Sequence, residues 1–474
     1  MTKPSKIKDV AIGEVWLCAG QSNMGWAMGN SYEAEAEMPH ANAPNLRIFK
    51  SSREHWHQPL DASRDRLARW SRCTPEVASA TSAVSYYFAR TIHEHLDIPI
   101  GIIQQAYAGT PIEGWMPRDI QQDDVRINQG MTAMDELSAR VDRGGALNTY
   151  NAELVEYNAL IDSGETMLNA QKELKVPFIT KPANMGHQYP SHIFNAMIHP
   201  VRPYGIRGMI WYQGERNSKN PAQAVHYQNQ LSMLINYYRS SWHQMSGGNV
   251  ADDFPVQFTQ LPSYTPAQIK PAEGDEASWA INREMMRLVS RQVPNTGMAV
   301  SVDTGGIYAL HPKTKKPIGL RHARLALEQV YGTDIVGAGP IFLHQKISGS
   351  EITLTFDSIG SGMTAANASE PLNTFAIAGD DKVWQWADAA IQGNTITVSS
   401  KDVPHPVAVR YAWANNPSQR NLLYNREGVP ASPFRTDNWP LVNGTYEGRA
   451  QSFEKPRAPE GYESKDWARP EMKW

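Results

Sequence analysis

Four short apolar runs, each stopping at a glycine, constrain this chain more than any other feature. They are EVWLCAG (14–20), IPIGIIQQAYAG (98–109), IRGMIWYQG (206–214) and GMAVSVDTGG (297–306). Runs this short and this apolar fit strands buried on both faces. Between the first two lies SAVSYYFARTIHEHL, in which Val84, Tyr87, Phe88 and Ile92 recur at helical spacing. Buried strands alternating with amphipathic helices specify an α/β fold, a parallel sheet with helices on both faces. Ligands of such sheets bind beyond the carboxyl ends of the strands. The glycine-rich ends therefore form the candidate site before any motif is considered.

The rest of the chain divides by texture. Residues 1–332 hold the sheet pattern, interrupted at 118–185 by a polar stretch that reads as a helical insertion over the sheet. After residue 332 the pattern becomes alternating: EITLTF, NTITVSS and VAVRYAW, separated by Gly, Asn and Asp, predict a β-rich, sandwich-like domain over 333–448. Residues 449–474 are Pro-rich and polar and read as a tail. A net charge of −3 excludes a strongly basic nucleic-acid binder as the default. Two cysteines, Cys18 and Cys73, cannot make a disulfide scaffold. No apolar run approaches the length of a membrane span. MTKPSKIKDV lacks the apolar stretch of a signal peptide, so an exported form is expected to have lost its leader.

Several strand ends carry groups able to do chemistry. GQSNM places Ser22 in a tight turn directly after the first strand, where a hydroxyl is exposed and backbone N–H groups stand beside it. Gly109 in AGTPIEGW can turn its N–H toward an oxyanion, and Gln213 in WYQGERN can offer its amide. His311, on a loop after the fourth run, is a candidate general base. His199, which precedes a strand, reads as structural. Each feature alone is better explained as an ordinary turn residue. Together they make the nucleophile–base–oxyanion set of ester hydrolysis. No HExxH, paired CxxC, P-loop or GxGxxG pattern is present, so no metal ligand set is expected.

GEVWLCAGQSNM, AGTPIEGW, SHIFNAMIHPVRPYGIRGMIWYQGERN and HPKTKKPIGLRHARLAL resemble the sialate O-acetylesterase family of SGNH hydrolases, which includes bacterial carbohydrate acetylesterases. The resemblance extends from about Gly13 to Trp439. It implies a three-layer α/β/α SGNH-hydrolase core with accessory β domains. It further implies Ser22 as nucleophile and His311 as base. The N–H groups of Ser22 and Gly109 and the Gln213 side chain would form the oxyanion hole. Gln21, Asn23, Trp115, Glu215 and Asn217 would support the site or contact the sugar. No metal or organic cofactor is implied. The expected partner is an acetylated carbohydrate, with no nucleic acid and no membrane span, and the expected location is secreted or periplasmic. Oligomeric state is left open.

One position departs from the family pattern. The acid usually found two or three residues before the histidine is replaced by Ala309 and Tyr308. Three readings follow: a Ser–His dyad; a triad completed by a displaced acid, Asp303 or Glu215; or a degenerate glycan-binding protein. An active enzyme is expected, because the remainder of the set is intact. The substrate is either an acetylated sialic acid or an acetylated hemicellulose, xylan or xyloglucan. A sialate site would need an arginine for the sugar carboxylate, and Arg216 and Arg283 are the candidates. Trp384, Trp386 and Trp413 would serve the glycan-binding reading, but are better read as sandwich core.

Overall fold

The computed structural model describes residues 9–65, 68–139, 186–274, 276–442 and 471–474, with scattered positions between 148 and 163. Strands β1 (Glu14–Gly20), β2 (Ala43–Lys50), β3 (Arg69–Cys73), β4 (Ile100–Ala106), β5 (Gly208–Tyr212), β6 (Val256–Thr259) and β7 (Thr296–Ala299) form one sheet. Its order is β3-β2-β4-β1-β5-β6-β7. All pairings are parallel except that of edge strand β3 with β2.

The pleat sends alternate side chains of β1 to opposite faces. Leu17 and Ala19 join a core with Leu231, Tyr238 and Trp242 of helix α3 (Pro221–Met245) and Val289 of α4 (Ser278–Gln292). Trp16 and Cys18 join a second core with Phe88 and Ile92 of α1 (Ala83–Leu96) and Leu327 of α5 (Lys316–Gln329). Helices therefore cover both faces, as the strand and helix patterns require. Helix starts are locally encoded: Ser82 caps α1 through Ser85 N, and Asn220 caps α3 with Pro221 in its first turn.

Three strands escape the sequence reading. Edge strand β3 and its neighbour β2 are half exposed and rich in polar residues, and β6 has only four residues. The fourth apolar run also behaves differently from expectation. Its strand stops at Ala299, and Val300 and Val302 leave the sheet to enter a third core. That core lies between two four-stranded antiparallel sheets. Ile352, Leu354 and Val398 come from one, Phe375, Val409 and Phe434 from the other.

Of the expected insertion, helix α2 (Val125–Ala139) is described, and most of the remainder lies outside the described residues, as do residues 449–470 of the expected tail. The last residues return to the body: Lys473 N donates to Glu427 O, and the Arg324 guanidinium lies over the Trp474 ring. No helix among the described residues is long and apolar enough to cross a membrane.

Candidate active site

β1 ends at Gly20 with φ +148°, where an added Cβ would lie 2.1 Å from the carbonyl oxygen of Tyr212. Glycine allows β1 and β5 to close at this point. Gln21 N then donates to Tyr212 O, and Tyr107 N to Gly20 O, which ties the ends of β1, β4 and β5 together. The chain turns back, with Gly25 N on Gln21 O, and presents Ser22 half-buried. Its Oγ lies 2.8 Å from Nε2 of His311, 289 residues away. The indole of Trp26 stacks on the His311 ring at 5.8 Å between centroids.

Gly109 follows β4 with φ +72°, reversing the chain beside the serine turn. Its carbonyl accepts from Gln188 Nε2, and Gln188 Oε1 accepts from Arg216. Gln213 spends both amide N–H groups locally, on Thr110 O at 3.1 Å and on Asn217 Oδ1 at 2.8 Å. Its Oε1 takes the Tyr227 hydroxyl at 2.8 Å. Neither N–H is left for an oxyanion, which corrects the expectation of a side-chain donor there. Gln213 instead braces the peptide after Gly109. Asn217 acts alongside it, accepting from Ile112 N and donating to Glu113 Oε2.

Trp115 is fully buried, packed edge-on against Trp211, with its N–H on Thr110 Oγ1 at 2.9 Å. Of the two roles expected of it, it takes the supporting one, since a fully buried ring has no face to offer a sugar. Gln21 Oε1 accepts from Arg216 N, and its amide lies 3.5 Å from Ser22 Oγ.

The two candidate acids sit in different settings. Asp303 is bidentate with Arg321, at 2.7 and 2.5 Å, and also accepts from the Tyr424 hydroxyl at 2.9 Å. Its side chain is 2% exposed, as is that of Arg321. A buried guanidinium and a tyrosine hydroxyl on one carboxylate are the setting of a structural anion. Glu215 is buried at the end of β5, where Oε1 accepts from Asn23 Nδ2 at 2.5 Å. Burial raises its pKa above the ordinary carboxylate value, with the Asn23 hydrogen bond opposing.

Lys315, within the segment HPKTKK, was not singled out by the sequence. In the fold it is 1% exposed and donates to Asn23 Oδ1 at 2.5 Å. Burial pulls its pKa down to about 7, with the Glu215 charge opposing. Its position four residues after His311 is the one signal that could have drawn notice.

Arg283 is excluded as a carboxylate reader: fully buried, it donates to the carbonyls of Leu261, Pro262, Ala414 and Asn415. Arg216 instead lines a cavity of about 220 Å³ with Arg126, Glu113, Gln188 and Asn217. The sandwich-core reading of the three tryptophans is corrected: Trp413 is buried against helices α3 and α4, with Ala224, Ile281 and Met285, and the half-buried Trp384 and Trp386 rings carry the guanidinium groups of Arg410 and Arg420. His199 Nδ1 lies 3.1 Å from Leu60 O, a structural contact. Among the described residues, no group of three or more His, Cys, Asp or Glu side chains is gathered as a metal site.

The family model described as carbohydrate esterase, sialic acid-specific acetylesterase matches residues 12–144 and 172–309. Sialate O-acetylesterase of Mus musculus is 27% identical over 453 residues, covering 90% of this chain and 78% of that protein. The Homo sapiens sialate O-acetylesterase is 25% identical over 455 residues, covering 90% and 76%. Among solved structures, a carbohydrate acetylesterase from Xanthomonas citri superposes with a TM-score of 0.71 at 29% identity, covering 90% of this chain and 81% of that one.

Proposed function

The chain belongs to the sialic acid-specific acetylesterase family of carbohydrate esterases and is a carboxylic ester hydrolase, and from that premise we propose that it deacetylates a glycan using Ser22 as nucleophile. The observation that carries this reading is the 2.8 Å contact between Ser22 Oγ and His311 Nε2 at the carboxyl end of β1. In this mechanism His311 takes the hydroxyl proton as Oγ attacks the acetyl carbonyl. The N–H groups of Ser22 and Gly109 receive the oxyanion. Gln213 and Asn217 keep the Gly109 turn rigid. His311 then passes its proton to the departing sugar oxygen, leaving an acetyl-enzyme. Water, deprotonated by His311, attacks that ester and releases acetate. The sheet is read as an SGNH-hydrolase core, with the site at its strand ends. A secreted or periplasmic location suits an extracellular glycan.

The Ser22–His311 geometry favours turnover over a glycan-binding protein without activity. Acetate release from acetylated xylan, acetylated xyloglucan and O-acetylated sialic acid tests the reading. Ser22→Ala is expected to lower release by at least about 1,000-fold; a variant with wild-type rate would sink it. The same panel decides the substrate. Arg216 beside the serine turn favours a sugar bearing a carboxylate, and Arg216→Ala should then raise KM for the sialate about tenfold. An equal effect on neutral xylan would assign Arg216 to support of the turn.

A further inference from the structure

Three buried polar side chains beside the Ser22–His311 pair have no part in the chemistry above. Asn23 is fully buried and is the hub. Its Nδ2 donates to Glu215 Oε1 at 2.5 Å and to Leu310 O at 3.1 Å. Its Oδ1 accepts from Lys315 Nζ at 2.5 Å. A single amide thus links the serine turn, the end of β5 and both flanks of His311. Leu310 immediately precedes the histidine, and Lys315 follows on the same loop. The seam continues outward, where Tyr32 N donates to Lys313 O. Inward, the Lys315 ammonium lies 5.9 Å from the Trp26 ring and 5.5 Å from the Tyr212 ring. Trp26 is the residue stacked on His311.

Burying a lysine and a glutamate here is costly. Each ionised group loses several kcal/mol of hydration, which hydrogen bonds must offset. The offset is incomplete: Asn23 and the backbone N–H groups of Gly214 and Glu215 favour the charged carboxylate, yet burial still outweighs them. Apolar side chains would stabilise such a site at least as well. What the polar set supplies, and apolar packing would not, is directional attachment. Asn23 is covalently next to Ser22, so the hydrogen bonds it makes set the nucleophile and the histidine loop in one frame. The loop cannot move without breaking a bond to the residue that follows the serine.

We propose that Asn23, Glu215 and Lys315 form a buried clamp whose function is to position His311 against Ser22. They are positioning residues that act through the histidine loop. The proposal rests on the Ser22–His311 reading above. Placement matters at this level because a misalignment of about 1 Å can lower the rate about 100-fold.

The test is steady-state hydrolysis of p-nitrophenyl acetate by the full-length protein, with folded fraction checked by circular dichroism and active sites counted by end-point labelling with a fluorophosphonate. Asn23→Ala is expected to lower kcat about 100-fold while KM changes little. Glu215→Ala is expected to follow it. Glu215→Gln, which keeps an acceptor for Asn23, should recover most of that loss. A merely structural role would lower the folded fraction and leave kcat per labelled site unchanged, and that result in Asn23→Ala would overturn the proposal. So would Glu215→Gln falling as far as Glu215→Ala, which would give Glu215 a charge-bearing role. If Asn23→Ala does not fold, Lys315→Met against Lys315→Arg decides: rescue by Arg supports the clamp, and wild-type kcat in both overturns it. Ser22→Ala in the same assay separates the two ideas. Its inactivity preserves the serine reading when the clamp fails, and its activity removes the basis of both.

Discussion

Asp303 and Glu215 are both buried carboxylates on loops that leave the same sheet, yet they occupy opposite electrostatic settings. Asp303 faces a guanidinium on helix α5 and a tyrosine hydroxyl from the β-rich region. It is compensated, and it ties the sheet, a helix and the sandwich together. Glu215 has an amide for a neighbour and a lysine one residue further away, and its burial cost shows as a raised pKa. The lesson is that burial alone does not identify a catalytic acid. The partner decides whether a carboxylate is an anchor or part of a site.

The sharpest way to break this comparison is to remove one charge of the compensated pair. Asp303→Asn strands Arg321 in the core and should lower unfolding free energy by about 3–5 kcal/mol in urea titrations. The kcat of the remaining folded enzyme should stay within about tenfold of wild type, well short of the roughly 10⁴-fold loss that removal of a triad acid can bring. A larger fall would return Asp303 to the catalytic set.

Removing both charges should do less harm than removing one. Asp303→Leu with Arg321→Met is expected to recover at least about half of the single-variant loss, because two apolar groups can fill a site that one orphaned charge cannot. A strictly additive double variant would show that the pair does not act as a unit.

A smaller effect is expected at the third member. Tyr424→Phe deletes one hydrogen bond to an ionised carboxylate and should cost about 1.5–3 kcal/mol by the same titration. No loss would mean that Arg321 alone suffices to anchor Asp303.

The smallest effect separates the two carboxylates by pH. The pKa of folded Glu215 is raised above its ordinary value of 4.5. The folded state therefore holds a proton that the unfolded chain has already released. Its contribution to stability is full below pH 4.5 and is lost as pH rises through the folded pKa. Glu215→Gln should flatten that fall, measured as wild type minus variant in denaturation across pH 4–8. Lys315 gives the opposite slope: with its folded pKa near 7, stability increases as pH rises from about 7 toward 10.5. Lys315→Met should remove that rise.

Much of the fold was legible because it is encoded locally. Buried strands must be apolar, and strands that end beneath a site need glycine for the turn, so the runs at 14–20 and 206–214 mark both the sheet and the place of Ser22. Strand β2 and the edge strand β3 escaped because half-exposed strands need no apolar run. Gln213 was read as facing a ligand, and Trp115 as supporting the site or contacting the sugar, because residue type states only what a side chain can do. Their neighbours, Thr110, Trp211, Asn217 and Tyr227, turned that capacity inward. Lys315 was overlooked for the converse reason: among Lys313, Lys315 and Lys316, residue type gives no sign of which one will be buried.

The sequence by itself determined the α/β alternation, the β-rich C-terminal region, the serine turn and the family, since these depend on spacing between near neighbours. Only the tertiary structure decided that His311 meets Ser22, that Asp303 belongs to Arg321, and that Glu215, Asn23 and Lys315 converge. Those are contacts across long chain separations. They form where the packing of whole elements brings side chains within hydrogen-bond reach, and in the low dielectric of the interior that proximity sets which charges are compensated and which pKa values move.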